Sequence, residues 1–335
     1  DTDEYGETVY RVEMCAEHGR FFGRTAKRHW KNSPCGDRME AQPLGAAGRR
    51  RLDTGGRDGA SAGLTSIQGG SAHMTKKVFG YPEFDQEGEE ILCTYDNAYS
   101  DMLMDIRVYR MRPGQKRSFC RQGEEIAVLL LSGTVAFGWE GRTETVSRKD
   151  VFTEGPYAVH VCTGKEITVE AGTDAEILVQ CTKNDTAFAG KLYRPEDAPW
   201  VYSSVGKFGN VAKRRVNTIF DKDIAPWSNM VLGEVLNDRG NWSGYLPHRH
   251  PQPECYYFKF DRPEGFGASF VGDDVFKSVD NSFSAIPGGC LHPQAVAPGF
   301  QMYTCWMIRH LDGDPWLQTT RNEDERYLWL HDAQF

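Results

Sequence analysis

Between Thr75 and about Lys191 the chain falls into short apolar runs separated by glycine, aspartate and other turn residues. Met104–Met111, Ile126–Leu131, Gly133–Trp139, Val159–Val161, Ile167–Glu170 and Ala175–Cys181 each have the length and composition of a strand. Many short strands at this spacing predict a sandwich or barrel of jelly-roll type. A second series runs from Val216 to about Trp316, opening with Asn229–Leu236 and the hairpin turn Asn237-Asp-Arg-Gly240. Side chains alternate faces along a strand, so Trp242, Gly244, Leu246, His248 and His250 are predicted on one face. The next strand turns Glu254, Tyr256, Phe258 and Phe260 inward and sends Tyr257 and Lys259 to the other side. That parity counts against Lys259 as a catalytic base, and it points Gln294 inward with His292.

The ends of the chain read differently. Residues 1–73 hold Gly-, Arg- and Ser-rich stretches without a sustained period, and such a segment cannot bury enough apolar surface to offset the entropy of ordering. It is expected to be largely disordered, an extension or added segment ahead of a domain that starts near Met74. Cys15, His18, His29 and Cys35 match no zinc spacing. Residues 196–215 read as a linker and 216–318 as the second barrel. At the C-terminus, Asn322 with Glu325 predicts a capped helix within 319–335.

Composition narrows the function classes. The net charge of −8 over 335 residues argues against a nucleic-acid binder, which needs a basic face. No run of eighteen apolar residues predicts a membrane span, and no leader of the secretory kind opens the chain. The 9 cysteines are an odd number without a CxxC pair, which fits reduced thiols and a cytoplasmic location better than a disulfide framework.

Candidate chemistry concentrates in Gly240-Asn-Trp-Ser-Gly-Tyr-Leu-Pro-His248-Arg-His250-Pro-Gln-Pro-Glu254-Cys-Tyr-Tyr and Pro287-Gly-Gly-Cys-Leu-His292. Three imidazoles and one carboxylate suit a divalent first-row ion such as zinc, manganese or iron. Four protein ligands on a six-coordinate ion leave two adjacent positions, room for a carbonyl and its neighbouring hydroxyl. The first barrel has no such set: Pro113–Glu125 lacks an HxH, and its lone turn-following histidine, His160, reads as structural. Cys255 and Cys290 read as small buried residues.

The arrangement G-x3-H-x-H-x3-E followed by P-x-G-x2-H is similar to the two-part metal motif of cupin barrels. With Asn241-Trp-Ser, Glu254-Cys-Tyr-Tyr and His292-Pro293, the stretch resembles the family of 5-deoxy-glucuronate isomerases of inositol catabolism. That family also holds the 4-deoxy-5-hexosulose-uronate ketol-isomerases of pectin catabolism. The resemblance runs from Thr75 to the C-terminus and is strongest over 206–316. It implies an all-β bicupin, with two jelly-roll barrels in one chain and the first of them (74–195) a scaffold or dimerisation partner. It further implies one divalent ion on His248, His250, Glu254 and His292, and a small uronate substrate isomerised through an enediolate that the ion stabilises.

By the same resemblance Arg214 is the counterpart of a basic residue before the second barrel, and a guanidinium can grip a carboxylate bidentately. The alternative for Arg214 is a solvated surface cluster. Glu234 in its Gly-Glu-Val context, then Tyr256, are the candidates for the base, with a buried hydrogen-bonding role open for either. Gln294 is a candidate substrate contact. The short His250–Glu254 interval and the five-residue step from Pro287 to His292 lean to the pectin branch, so either uronate stays open. A cupin dioxygenase and a non-catalytic sugar-binding bicupin are the readings of other classes, and homo-oligomerisation is undetermined.

Overall fold

The computed structural model describes residues 77–333, and the expectation for residues 1–73 lies outside them. Two curled β-systems follow one another. The first is a sheet of nine strands built around the long strand Glu124–Trp139, which pairs with Tyr157–Val161 and Ala175–Lys183 through its first half and with Arg142–Arg148 and Glu166–Ala171 through its second. Sequence predicts two strands here, separated at Ser132; the chain instead bends and continues, with Gly133 at φ 99°.

The second system has a seven-stranded sheet in the order Phe79–Gly80, Phe283–Ile286, Glu254–Phe260, Met302–Arg309, Met230–Asn237, Arg214–Phe220, Val201–Ser203. A four-stranded sheet of Trp242–Ser243, Gln294–Val296, Phe266–Val271 and Asp274–Val279 completes it. Both sequence boundaries of this barrel move. Phe79 pairs with Ser284 and stacks on Phe258 and Phe276, so the first described strand belongs to the second barrel. Val201–Ser203, expected in the linker, pairs with Arg214–Val216. In each case an edge strand finds a ladder for backbone groups that would otherwise go unpaired. The fold is the expected bicupin.

Strand parity divides the apolar residues into three cores. Ile126, Val128 and Leu130 fill the first barrel with Phe137 and Ile177. Val231, Tyr256, Phe258 and Trp306 fill the second. Their odd–even neighbours, Ala127, Leu129 and Leu131 on one side and Met230, Leu232, Cys255, Tyr257 and Cys305 on the other, meet in a third core between the barrels. Cys93 and Cys255 touch there at 4.0 Å between sulfurs, and all cysteines among the described residues are free.

Candidate metal and substrate site

Two glycine contacts draw the site together. The predicted strand Trp242–His250 is broken into Trp242–Ser243 and His248–Arg249, because Gly244 takes φ 61° and a Cβ there would stand 2.9 Å from the His292 carbonyl oxygen. The break resets the parity: Ser243 rather than Trp242 faces the interior, and Trp242 stacks on Phe270. On the other side, a Cβ on Gly288 would fall 1.8 Å from the Pro251 carbonyl oxygen, so only glycine permits this approach. The next amide, Gly289 N–H, donates to the His250 carbonyl at 2.8 Å.

The histidines are held by their Nδ1 atoms. His248 Nδ1 lies 2.9 Å from the Leu246 carbonyl, His250 Nδ1 3.0 Å from that of Gln252, and His292 Nδ1 2.9 Å from that of Cys290. A carbonyl accepts only, so each Nδ1 carries the proton and each Nε2 of a neutral ring keeps a lone pair. Burial lowers the pKa of His248 and His292; at His248 the neighbouring His292 adds to it, while at His292 the Glu254 charge opposes it. His250 Nε2 and His292 Nε2 stand 3.1 and 3.3 Å from Glu254 Oε2, and the latter contact does not satisfy hydrogen-bond geometry. His292 Nε2 is thus a buried nitrogen aimed at a carboxylate with no hydrogen bond, and a cation at that meeting point would give it a partner. His250, Glu254 and His292 form a cluster with donor atoms within 4.8 Å of one another. His248 stands beside it, its ring centroid 4.7 Å from that of His292. The donor set therefore fits a divalent ion.

Above Glu254 lies a cavity of ≈ 80 Å³ lined by Arg214, Ser243, His248, Tyr256, Gln294, Thr304, Trp306 and Arg321 among others. A second cavity of ≈ 150 Å³ adjoins it, sharing Arg214, His248 and Arg321. Arg214 is 7% exposed and not the solvated cluster residue that was its alternative; its Nη1 donates to Ser204 Oγ and the Ala212 carbonyl, both at 3.1 Å. Burial pulls its pKa down to about 10, and the Arg321 charge adds to the shift. Gln294 Oε1 accepts from Thr304 Oγ1 at 3.2 Å, which orients its amide in the cavity wall. Tyr256 lies against Glu254; burial, that charge and a hydrogen bond to the carboxylate hold its hydroxyl well above the ordinary tyrosine range.

Glu234 is not in this site. It shares the side of Met230 and Leu232 on the strand Met230–Asn237 and faces the first barrel, where Arg148 contacts both its oxygens at 2.8 and 3.0 Å. Asn217 Nδ2 and the Tyr303 hydroxyl complete its shell at 2.9 and 2.7 Å. A carboxylate so enclosed on the wrong face of its strand cannot act as base, which corrects the expectation. Lys259 points away as its parity requires, to Glu176 at 2.7 Å. The C-terminal helix is also corrected: Asn322–Glu323 forms a strand with His248–Arg249, and Asp324, not Asn322, caps the 3₁₀ segment Glu325–His331. Sequence reasoning missed Arg321 because it read this segment as a helix rather than as a strand beside the histidines.

A family model for the KduI/IolB family matches residues 80–330. The chain belongs to the KduI/IolB family. Among curated proteins it is 29% identical to a 5-deoxy-glucuronate isomerase of Geobacillus kaustophilus, over 69% of this chain and 87% of that protein. A 5-deoxy-glucuronate isomerase of Bacillus licheniformis is 26% identical over 65% of this chain and 85% of its own length. Among solved structures, an IolB-like protein of Salmonella typhimurium superposes with a TM-score of 0.69 at 18% identity, covering 76% of this chain and 99% of that one. An oxalate decarboxylase of Lactobacillus farciminis shares the fold at a TM-score of 0.55 and 11% identity, over 77% and 91%. No helix among the described residues is long and apolar enough to cross a membrane.

Proposed function

We propose that the chain is a metal-dependent aldose–ketose isomerase that converts 5-deoxy-D-glucuronate to 2-deoxy-5-keto-D-gluconate. The observation that carries this reading is one cavity lined by the buried cation Arg214, by His248 and by Glu254, the carboxylate of the His250–Glu254–His292 cluster. Membership in a family with relatives named for this reaction supports it. His248, His250, Glu254 and His292 would hold the divalent ion, with each Nδ1–H fixed by a backbone carbonyl so that Nε2 is presented inward. Such an ion supplies Lewis-acid polarisation of a carbonyl and charge stabilisation as the neighbouring carbon loses its proton. Arg214 grips the substrate carboxylate and so sets which end of the sugar reaches the cluster. Gln294, its carbonyl taken by Thr304, is left to donate from its amide nitrogen to a sugar hydroxyl. Tyr256 keeps its proton at neutral pH and serves as a hydrogen-bond donor at the cluster, since a raised pKa makes a poor base and a sound donor.

The test is elemental analysis of the purified protein joined to isomerase assays on 5-deoxy-D-glucuronate and 4-deoxy-5-hexosulose-uronate. Stoichiometric metal with turnover of the first is the expected result. Turnover of the second alone moves the chain to the pectin-pathway reaction, and absence of both metal and turnover ends the isomerase reading.

A further inference from the structure

The segment after the second barrel returns to the site. Asn322–Glu323 pairs antiparallel with His248–Arg249, setting Glu323 opposite His248 and Asn322 opposite Arg249. The next amide, Asp324 N–H, donates to the Pro247 carbonyl at 2.9 Å. Residues opposite one another in an antiparallel pair project to the same side, and alternate residues share a face. Glu323 and Arg321 therefore lie on the His248 side, Glu323 half-buried and Arg321 still open to solvent, while Asn322 and Arg249 lie on the other side and are both exposed. The cavities agree with this register: Arg321 lines both of them, and Glu323 lines the outer one.

Charge around this space is one-sided. Lys207, Arg214 and Arg321 line the outer cavity with Glu323 as the one acid, and Glu323 is taken by His331 at 2.6 Å. Among the described residues no carboxylate pairs with Arg214 or Arg321. Arg214 is buried and Arg321 open to solvent, so water screens part of their repulsion, and a bound anion would relieve what remains. Arg214 itself is fixed from behind by Ser204 and the Ala212 carbonyl, contacts that orient it without neutralising it.

We propose that Arg321 is a specificity-determining residue: it and Arg214 grip the carboxylate of the sugar acid from two sides, and this pair selects a uronate over the neutral aldose. The strand Asn322–Glu323 acts as a strap that delivers Arg321, so recognition depends on a segment outside the barrel proper. The proposal rests on the sugar-acid reading of the cavity given above.

Calorimetric titration of the full chain with D-glucuronate and with D-glucose, for wild type, Arg321→Gln and Arg321→Lys, tests it. Wild type is expected to bind glucuronate and to discriminate against glucose. Arg321→Gln should weaken glucuronate about tenfold, the share of one charge-assisted hydrogen bond, with an unchanged unfolding midpoint. Arg321→Lys should recover part of the loss, and in turnover KM should rise while kcat holds. Equal binding of glucuronate by wild type and Arg321→Gln, or equal binding of the two sugars by wild type, overturns the role of Arg321 alone. Equal losses in both variants with a lowered unfolding midpoint assign Arg321 to holding the strap and overturn recognition. A wild type that binds no glucuronate removes the sugar-acid reading itself.

Discussion

Each barrel buries a histidine against a glutamate, and the two pairs do opposite things. In the first, Glu125 is saturated with donors: His160 Nε2 at 2.8 Å, Ser228 Oγ at 3.0 Å and the Asn229 N–H at 2.7 Å. The His160 ring lies flat on Phe220, with centroids 4.4 Å apart and planes within 4°. Ser228, Asn229 and Phe220 all come from the second half of the chain, so this pair is part of the seam between barrels. In the second barrel backbone carbonyls hold the Nδ1 atoms, and of the two Nε2 atoms that reach Glu254 only that of His250 makes a hydrogen bond, leaving His292 Nε2 without one. The proton donors around a carboxylate decide whether a buried His–Glu pair joins parts of a fold or stands ready for a cation.

Substitution of the two glutamates separates these cases most sharply. Glu254→Gln should lose stoichiometric metal and depress turnover on the order of 10³-fold or more, the scale of several kcal/mol of charge stabilisation. Glu125→Gln should keep both and show its cost only in the unfolding midpoint. Elemental analysis beside kcat reads the contrast, and loss of metal from Glu125→Gln would collapse it.

The seam itself is probed by Arg148→Met, which strands Glu234 as a buried charge. Denaturant unfolding should report a loss of about 3–5 kcal/mol, while turnover per folded molecule stays near wild type. A selective fall in kcat with normal stability would return Glu234 to the chemistry. Gly288→Ala should act the other way, since its Cβ has no room against Pro251. Displacing the His292 loop should weaken metal affinity about 10- to 100-fold with little change in the unfolding of the metal-free protein.

The mildest effect expected concerns pH. Glu90, buried in the seam, has its carboxyl pushed from 4.5 up to about 8, chiefly by burial, with the Tyr257 hydrogen bond opposing and Glu176 adding. The folded state thus holds a proton that the unfolded chain releases above about pH 4.5. The stability this proton contributes is complete below that value and lost as pH rises through 8. Urea midpoints measured across pH 6 to about 9 should fall more steeply for wild type than for Glu90→Gln; parallel curves would remove Glu90 as the cause.

Much of this was legible in the residue pattern. The strands of both barrels, the inward series Glu254, Tyr256, Phe258 and Phe260, and the outward turn of Lys259 follow from period-two alternation. The His250–Glu254–His292 cluster follows from spacing and residue type. Parity failed at Gly244, where a left-handed residue resets the face count, and a sequence period cannot register such a break. It also could not show that the second barrel's sheet is covered on both sides. Glu234 looked available as a base only while the face opposite the metal cluster was taken to be free. Arg321 was hidden because a two-residue strand has too few positions to show a period.

The strand Glu254–Phe260 carries a further consequence. One face holds Glu254 and Tyr256 toward the cavity; the other buries Cys255 and Tyr257 against the first barrel, where the Tyr257 hydroxyl donates to Glu90 at 3.1 Å. Detached from its neighbour, the half that contains the histidines would present Met230, Leu232, Cys255, Tyr257 and Cys305 to water, with Glu234 stripped of its arginine. The two barrels are thus not interchangeable modules. The half without a metal-ligand cluster among its described residues is the dry backing that keeps the other half's residues in place, and the chain cannot be trimmed to its reactive portion.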